Sequence, residues 1–459
     1  MVSSWFKWRI LLSIFCILTL PAFVGGQSEG VGGGGQRATA LVTLENGLRV
    51  VVQERPQTRT AALQIWVKVG SRDEPEGQHG VSHLLAHLIL KGTRALRAEE
   101  IAARVASVGG QITGGTSQEY SHYAVTVPDT GYPDMLKLLL ELITQPAFRE
   151  EDLSKERQVV LAEIGRLKDI PESNVDELAL REVFKGHPMA NPVRGEPENL
   201  KNLGRDSLIR HYQTYYVPTH IVVVAVGNVK TEEVIRMVRE NLGEWKRGQM
   251  EEPMGGRAVP YPEQPKRQEV SLGGILLRQA KILLAIRVMG LQDEERPAME
   301  VLSSVLQLRL FDSIRETRGL AYVVSSDYIP LSDTGIWKIY VEARGEAENR
   351  TRQIIFEELK KIRTRALEAT ELKEAKEYLK GRFVRTQETN NDLALYVGER
   401  VLFDGLESEE VYFSKIEGVT PEEVQRVAAR YIQEAHYNLV VLRPFSFIGK
   451  IGFLLKQVF

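Results

Sequence analysis

The spacing of apolar residues along this chain switches repeatedly between a period of two and a period near 3.6, the mark of strands interleaved with helices. Ala40 to Gln53 holds two β-branched runs around Asn46-Gly47, a dipeptide suited to the tight turn of a hairpin. Ala61 to Val69 reads as a further strand. Helical spacing follows over Val81 to Leu90 and Ala98 to Val108, then a strand near Tyr120 to Val127, then helices over Tyr132 to Thr144 and Glu151 to Leu167. The unbroken apolar run Ile221 to Val229 reads as a buried strand. Residues 248–266 are rich in Gly, Pro and charge and lack an apolar period, which marks a linker. Beyond it the order restarts: strand Lys281 to Val288, helix Pro297 to Arg315, strand Gly335 to Ala343, helices Arg350 to Ala366 and Thr370 to Thr386, and a closing strand Tyr437 to Leu442.

This restart predicts an α+β chain of two homologous domains, 39–247 and 267–444, each a mainly antiparallel sheet with helices packed on one face. Both ends differ from the body. Lys7 and Arg9 precede an uncharged run from Ile10 through Val24 and then Gly25 and Gly26, so residues 1–26 read as a signal peptide or an uncleaved N-terminal anchor. Residues 27–38 form a Gly-rich leader. Residues 445–459 (FSFIGKIGFLLKQVF) carry only Lys450 and Lys456 among apolar side chains, a tail too short to span a bilayer but suited to lying at its surface or against protein. Export to a periplasmic or extracellular compartment, with possible membrane association through either end, is the expectation.

Composition narrows the chemistry. Lys and Arg number 59 against 61 Asp and Glu, a net charge of −2, so nothing points to a nucleic-acid partner. Cys16, the single cysteine, lies in the N-terminal apolar run, which leaves the body without a disulfide, a thiolate metal site or a thiol nucleophile. Metal chemistry must therefore use His, Asp and Glu. His83 and His87 are four apart in a helical segment, so both imidazoles leave one face and can share a divalent ion. Two helix histidines with ordinary hydrogen-bond partners fit the spacing as well. Glu156 and Glu163, seven apart on the next long helix, are candidates for a third ligand or for a solvated helix face.

Longer segments carry a resemblance. VKVGSRDEPEGQHGVSHLLAHLILKGT, ERQVVLAEI, YYVPTHIVVVAVGNV and RLFDSIRETRGLAYVVSS, in this order, resemble the insulinase and mitochondrial-processing-peptidase family of zinc metallopeptidases, whose signature is His-x-x-Glu-His. The resemblance implies Zn²⁺ as cofactor, with His83, His87 and Glu163 as ligands and Glu156 as the supporting carboxylate. It also implies that Arg315 and Tyr322 hold and polarise a substrate carbonyl, although a helix-end ion pair and a core tyrosine would look the same locally. Extended peptide, added as a strand to a sheet edge, is the implied substrate.

Two departures bear on function. Ala86 stands where the family has its general-base glutamate, and a methyl group can neither take nor deliver a proton. In the edge strand Thr113 and Gly114 replace the usual Asn-Ala. Three functions follow as alternatives: a non-catalytic or weakly active subunit working with a homologous chain that carries intact His-x-x-Glu-His; a self-sufficient zinc endopeptidase using Glu156 or Glu76 as substitute base; and a peptide-binding scaffold.

Overall fold

The computed structural model describes residues 39–168, 171–245, 268–274, 279–403, 405–433 and 436–444. The expected signal or anchor, the Gly-rich leader, the linker at 248–266 and the apolar tail at 445–459 lie outside the described residues.

In the first half β1 (Thr39–Thr43) and β2 (Arg49–Glu54) pair as the expected hairpin, with Gly47 at φ 89° in its turn. β3 (Thr60–Val67), β4 (Gln111–Thr116), β5 (Ser121–Pro128) and β6 (Ile221–Gly227) complete a sheet in the order β1-β2-β6-β3-β5-β4. Only β2 and β6 run parallel; the other pairs are antiparallel. The helices are α1 (Val81–Ile89), α2 (Ala98–Ser107), α3 (Tyr132–Thr144), α4 (Glu150–Lys168), α5 (Pro171–Val183), α6 (Pro197–Asn202), α7 (Arg205–Tyr215) and α8 (Thr231–Leu242).

The second half repeats this plan. β7 (Gln268–Gly274), β8 (Gln279–Val288), β9 (Ala321–Pro330), β10 (Gly335–Arg344) and β11 (Asn438–Pro444) lie in the order β7-β11-β8-β10-β9, with β7 and β11 parallel and the rest antiparallel. Strand for strand this is the arrangement of β2-β6-β3-β5-β4, so the topology carries the duplication that residue identity shows weakly. Its helices are α9 (Arg296–Leu310), α10 (Glu348–Thr364), α11 (Ala369–Arg385), α12 (Asn390–Leu402), α13 (Glu409–Gly418) and α14 (Pro421–Tyr431). Residues Phe311–Glu316 prolong α9 as a π-helical turn, a widened geometry frequent at functional sites.

Each sheet is covered on one face by helices of its own half. Leu63, Ile65 and Val67 of β3 and Val223 and Ala225 of β6 pack against Leu84, Leu85 and Leu88 of α1 and Leu136 and Leu139 of α3. The other face is covered from the opposite half. Ala62 and Trp66 of β3 and Val222, Val224 and Val226 of β6 meet Leu393, Ala394, Val397 and Val401 of α12. Reciprocally, Val175, Ala179 and Val183 of α5 meet Leu283 and Ala285 of β8 and Val440 and Leu442 of β11. Strand β6 is thus buried on both sides, which is why its sequence runs apolar without alternation.

Polar contacts fix this exchange. Arg49 donates to the carbonyls of Val401 (2.7 Å) and Leu402 (3.3 Å) at the C-terminal end of α12, and Asn390 at its start donates to Thr60 O at 2.9 Å. Gly398 lets α12 lie on Trp66, since a Cβ there would stand 2.2 Å from the indole nitrogen. Arg72, wholly buried, bridges Glu119 (2.7 Å) and Asp333 (two bonds of 3.0 Å), while Glu119 accepts from the amide of Ser332 at 2.9 Å in the β9–β10 turn. Arg72→Ala strands Glu119 in the domain interface without its counter-charge. It should lower unfolding free energy by about 3–5 kcal/mol, read by urea denaturation.

Candidate functional site

Helix α1 is set by its entry. Gly80 adopts φ 99°, and a Cβ there would strike Arg194 O at 2.8 Å, so only glycine fits. Gly80 has no side chain to cap the helix, and the buried carboxylate of Glu74 takes over, accepting from the amides of Gly80 (2.7 Å) and Ser82 (2.9 Å). Burial pushes Glu74 up to about 8 despite these bonds. Ser82 is held in turn by His211, its hydroxyl 3.0 Å from Nε2; burial drives His211 down to about 3, so this ring is neutral.

From that anchored helix His83 and His87 project together, ring centroids 4.7 Å apart. Helix α4 packs alongside and delivers both of its carboxylates. Glu163 Oε2 lies 3.1 Å from His83 Nε2, and Glu163 Oε1 lies 3.8 Å from His87 Nε2. One donor atom from each of these three residues falls within 4.8 Å of the others. Glu156 Oε2 stands 3.0 Å from His87 Nδ1, and its other oxygen pairs with Lys91 at 3.0 Å.

The donor set suits a zinc ion. A tetrahedral zinc with N and O ligands places those atoms roughly 3.4 Å apart, inside the spread seen here. Glu156 takes the Nδ1–H of His87 and so leaves Nε2 free for the ion, the usual carboxylate–histidine arrangement. His83 has no such support: among the described residues its Nδ1 is buried without a hydrogen-bond partner, and the clamp on α1 orients the ring instead. Burial lowers the His83 pKa, against the pull of Glu163, and keeps the ring in the neutral form that binds metal. Glu163 is held below the usual carboxylate range chiefly by its bond to His83. Burial raises Glu156, but the bonds from His87 and Lys91 outweigh it and keep this carboxyl ionised.

Beside the cluster opens a cleft of about 480 Å³, lined by His83, Ala86 and His87, by the apolar Leu90, Ile101 and Ile112, and by Gly114 and Gly115 of β4. Among the described residues β4 is an edge strand, bonded only to β5, which leaves its outer backbone groups open to a peptide. Gly114 faces the cleft; Thr113 is exposed and does not line it.

The four residues expected around the metal therefore converge. Arg315 and Tyr322 do not join them within the chain. The Arg315 guanidinium lies between the rings of Phe311 (4.8 Å) and Tyr322 (4.9 Å) and donates to Tyr322 O at 3.3 Å, while the Tyr322 side chain is 57 % exposed. Neither of the proposed substitute bases faces the cleft: Glu156 is tied behind His87, and Glu76 is exposed in the turn before α1. Sequence reasoning missed Glu74, Lys91, Glu99 and Arg194. Lys91 follows His87 by four and its spacing was readable. Glu99, an exposed residue of α2, lines the cleft, and Arg194 Nε approaches Glu163 to 3.7 Å from a loop that no local pattern connects to it.

Comparison with known proteins gives the relationship. The family model described as insulinase (peptidase family M16) matches residues 49–196, and that of the peptidase M16 inactive domain matches residues 202–379. An uncharacterized zinc protease of Streptomyces coelicolor is 33 % identical over 413 residues, 88 % of this chain and 89 % of that protein. The chain belongs to the insulinase family. A probable mitochondrial-processing peptidase subunit beta of Arabidopsis thaliana is 25 % identical over 88 % of this chain and 78 % of its own. A crystal structure of a Helicobacter pylori protease superposes with a TM-score of 0.82 at 22 % identity, covering 89 % of this chain and all of that one, and so shares its two-domain fold. Zinc is the ion that the name of the Streptomyces relative implies. Glu156→Ala removes the acceptor that orients His87 and should weaken zinc binding about 10- to 100-fold, measured by competition with a chromophoric chelator.

Proposed function

We propose that this chain is a zinc-binding insulinase-family protein acting on extended peptides as the non-catalytic or weakly active subunit of a two-component metallopeptidase. His83, His87 and Glu163 hold the ion, and Glu156 orients His87. Bound there, zinc supplies Lewis acidity toward a peptide carbonyl. The remaining work falls to side chains, and one is missing.

Ala86 carries the reading. Buried on α1 and lining the cleft between the two histidines, it occupies the position from which a glutamate would take a proton. Loss of a general base costs on the order of 10²–10⁴ in rate. Glu156 does not substitute, because its two oxygens are engaged by His87 and Lys91. Arg315 and Tyr322 support the subunit role from the other side: Arg315 lies between Phe311 and Tyr322, Tyr322 is exposed, and neither lines the cleft beside their own chain's His–Glu cluster, so they are arranged to be offered to a homologous chain with intact His-x-x-Glu-His.

Export, and membrane association through residues 1–26 or the tail at 445–459, belong to the same proposal and are supported by the order of charged, apolar and small residues in those segments. Restoring the base is the direct test. Ala86→Glu should show chelator-sensitive cleavage of an unstructured peptide at least about 10²-fold above the natural chain. Robust cleavage by the natural chain alone would establish a self-sufficient peptidase, and inactivity of both would favour a scaffold. In liposome flotation the full chain should float with anionic vesicles and a chain ending at Pro444 should float less; equal flotation removes the tail from the membrane reading.

A further inference from the structure

The cleft next to Ala86 has a shape and a charge that follow from the substitution. Ala86 lines it between His83 and His87, so the four side-chain heavy atoms that a glutamate has beyond an alanine leave open volume beside the metal cluster. Lys91 and Glu99 line that volume, and Glu163, Glu156 and Arg194 stand in the cluster behind it, two cations against three carboxylates, while imidazoles that bind a metal are neutral. A divalent ion held by the cluster leaves this group one positive charge in excess. A glutamate at position 86 would have cancelled it. The vacant volume and the unbalanced charge coincide, and both are relieved by one carboxylate brought from outside.

The rest of the cleft says what carries that carboxylate. Among the described residues the outer edge of β4 offers unpaired backbone donors and acceptors, and Gly114 and Gly115 present no side chain to hinder a second strand. Leu90 and Ile101, with Ile112 of β4 itself, give the cleft an apolar lining. A small anion such as formate would use none of this; an extended peptide would use all of it. We propose that this cleft is a carboxylate receptor: it holds an extended peptide along β4, an apolar side chain against Leu90 and Ile112, and one carboxylate of that peptide in the space a glutamate at position 86 would fill. The chain then retains peptides that it does not cut. This rests on the zinc-binding reading of the same residues.

The carboxylate can be the peptide's C-terminus or an acidic side chain, and binding separates the two. Three fluorescent unstructured decapeptides of the same apolar core are titrated into zinc-loaded chain: a free C-terminal acid, its amide, and an amide with one internal glutamate. The acid, the internal-glutamate peptide or both should bind about tenfold more tightly than the plain amide. That preference should vanish in Ala86→Glu, and also in Ala86→Gln, which fills the volume without adding charge and serves if the glutamate variant folds poorly. Equal binding of all three peptides, or a preference unchanged in both variants, overturns the proposal. Metal content is measured first and keeps the failures apart: a chain that retains no zinc overturns the metal reading and this proposal together, whereas a zinc-loaded chain indifferent to the carboxylate overturns this proposal alone.

Discussion

Each sheet in this chain has one face that its own half leaves bare, and a single helix from the other half covers it. On β3 and β6 the cover is α12; on β8 and β11 it is α5. Each large apolar side chain buried there contributes about 1.5–3 kcal/mol, so a face of five or six such residues outweighs any one polar contact in the interface. The metal cluster inherits this arrangement. Glu156 and Glu163 sit on α4, and the next helix in the chain, α5, is the one seated on the second domain's sheet. Arg72, Glu119 and Asp333 fix the same junction from the side of the β4–β5 turn.

Within the cluster, order is imposed from behind. Glu74 and His211 hold the first turn of α1, and that places His83, whose own second nitrogen has no partner among the described residues. His87 has a separate support in Glu156, which Lys91 in turn neutralises. The two histidines are thus oriented by different means, one through the backbone of its helix and one through its ring. Alanine at position 86 disturbs neither, so an arrangement suited to a metal is kept without a group that can transfer a proton.

Much of this was legible in the residues. Periodicity located α1, α3, α4, β6 and β8 to within about two residues, because each has a strong apolar stripe or run. The His83–His87 spacing and the seven-residue step from Glu156 to Glu163 put each pair on one face of its helix, and the family resemblance alone implied that those faces meet. What escaped was relational. Val175, Ala179 and Val183 carry helical spacing, but nothing in it tells that α5 crosses to the other half's sheet, and α12 is silent in the same way. Arg194 reaches Glu163 from a loop, a meeting set by tertiary packing alone. The family resemblance named Arg315 and Tyr322 as a pair, and only the coordinates place that pair apart from the histidines of its own chain.

The repeated strand order has a cost for the molecule in solution. It leaves β4 and β9 each at the margin of a sheet, with backbone groups turned outward and with Tyr322 and Ile329 of β9 exposed beside them. Open margins of this kind recruit strands without regard to their origin. At high concentration and with nothing laid along them, such edges are a template on which copies of this chain can aggregate.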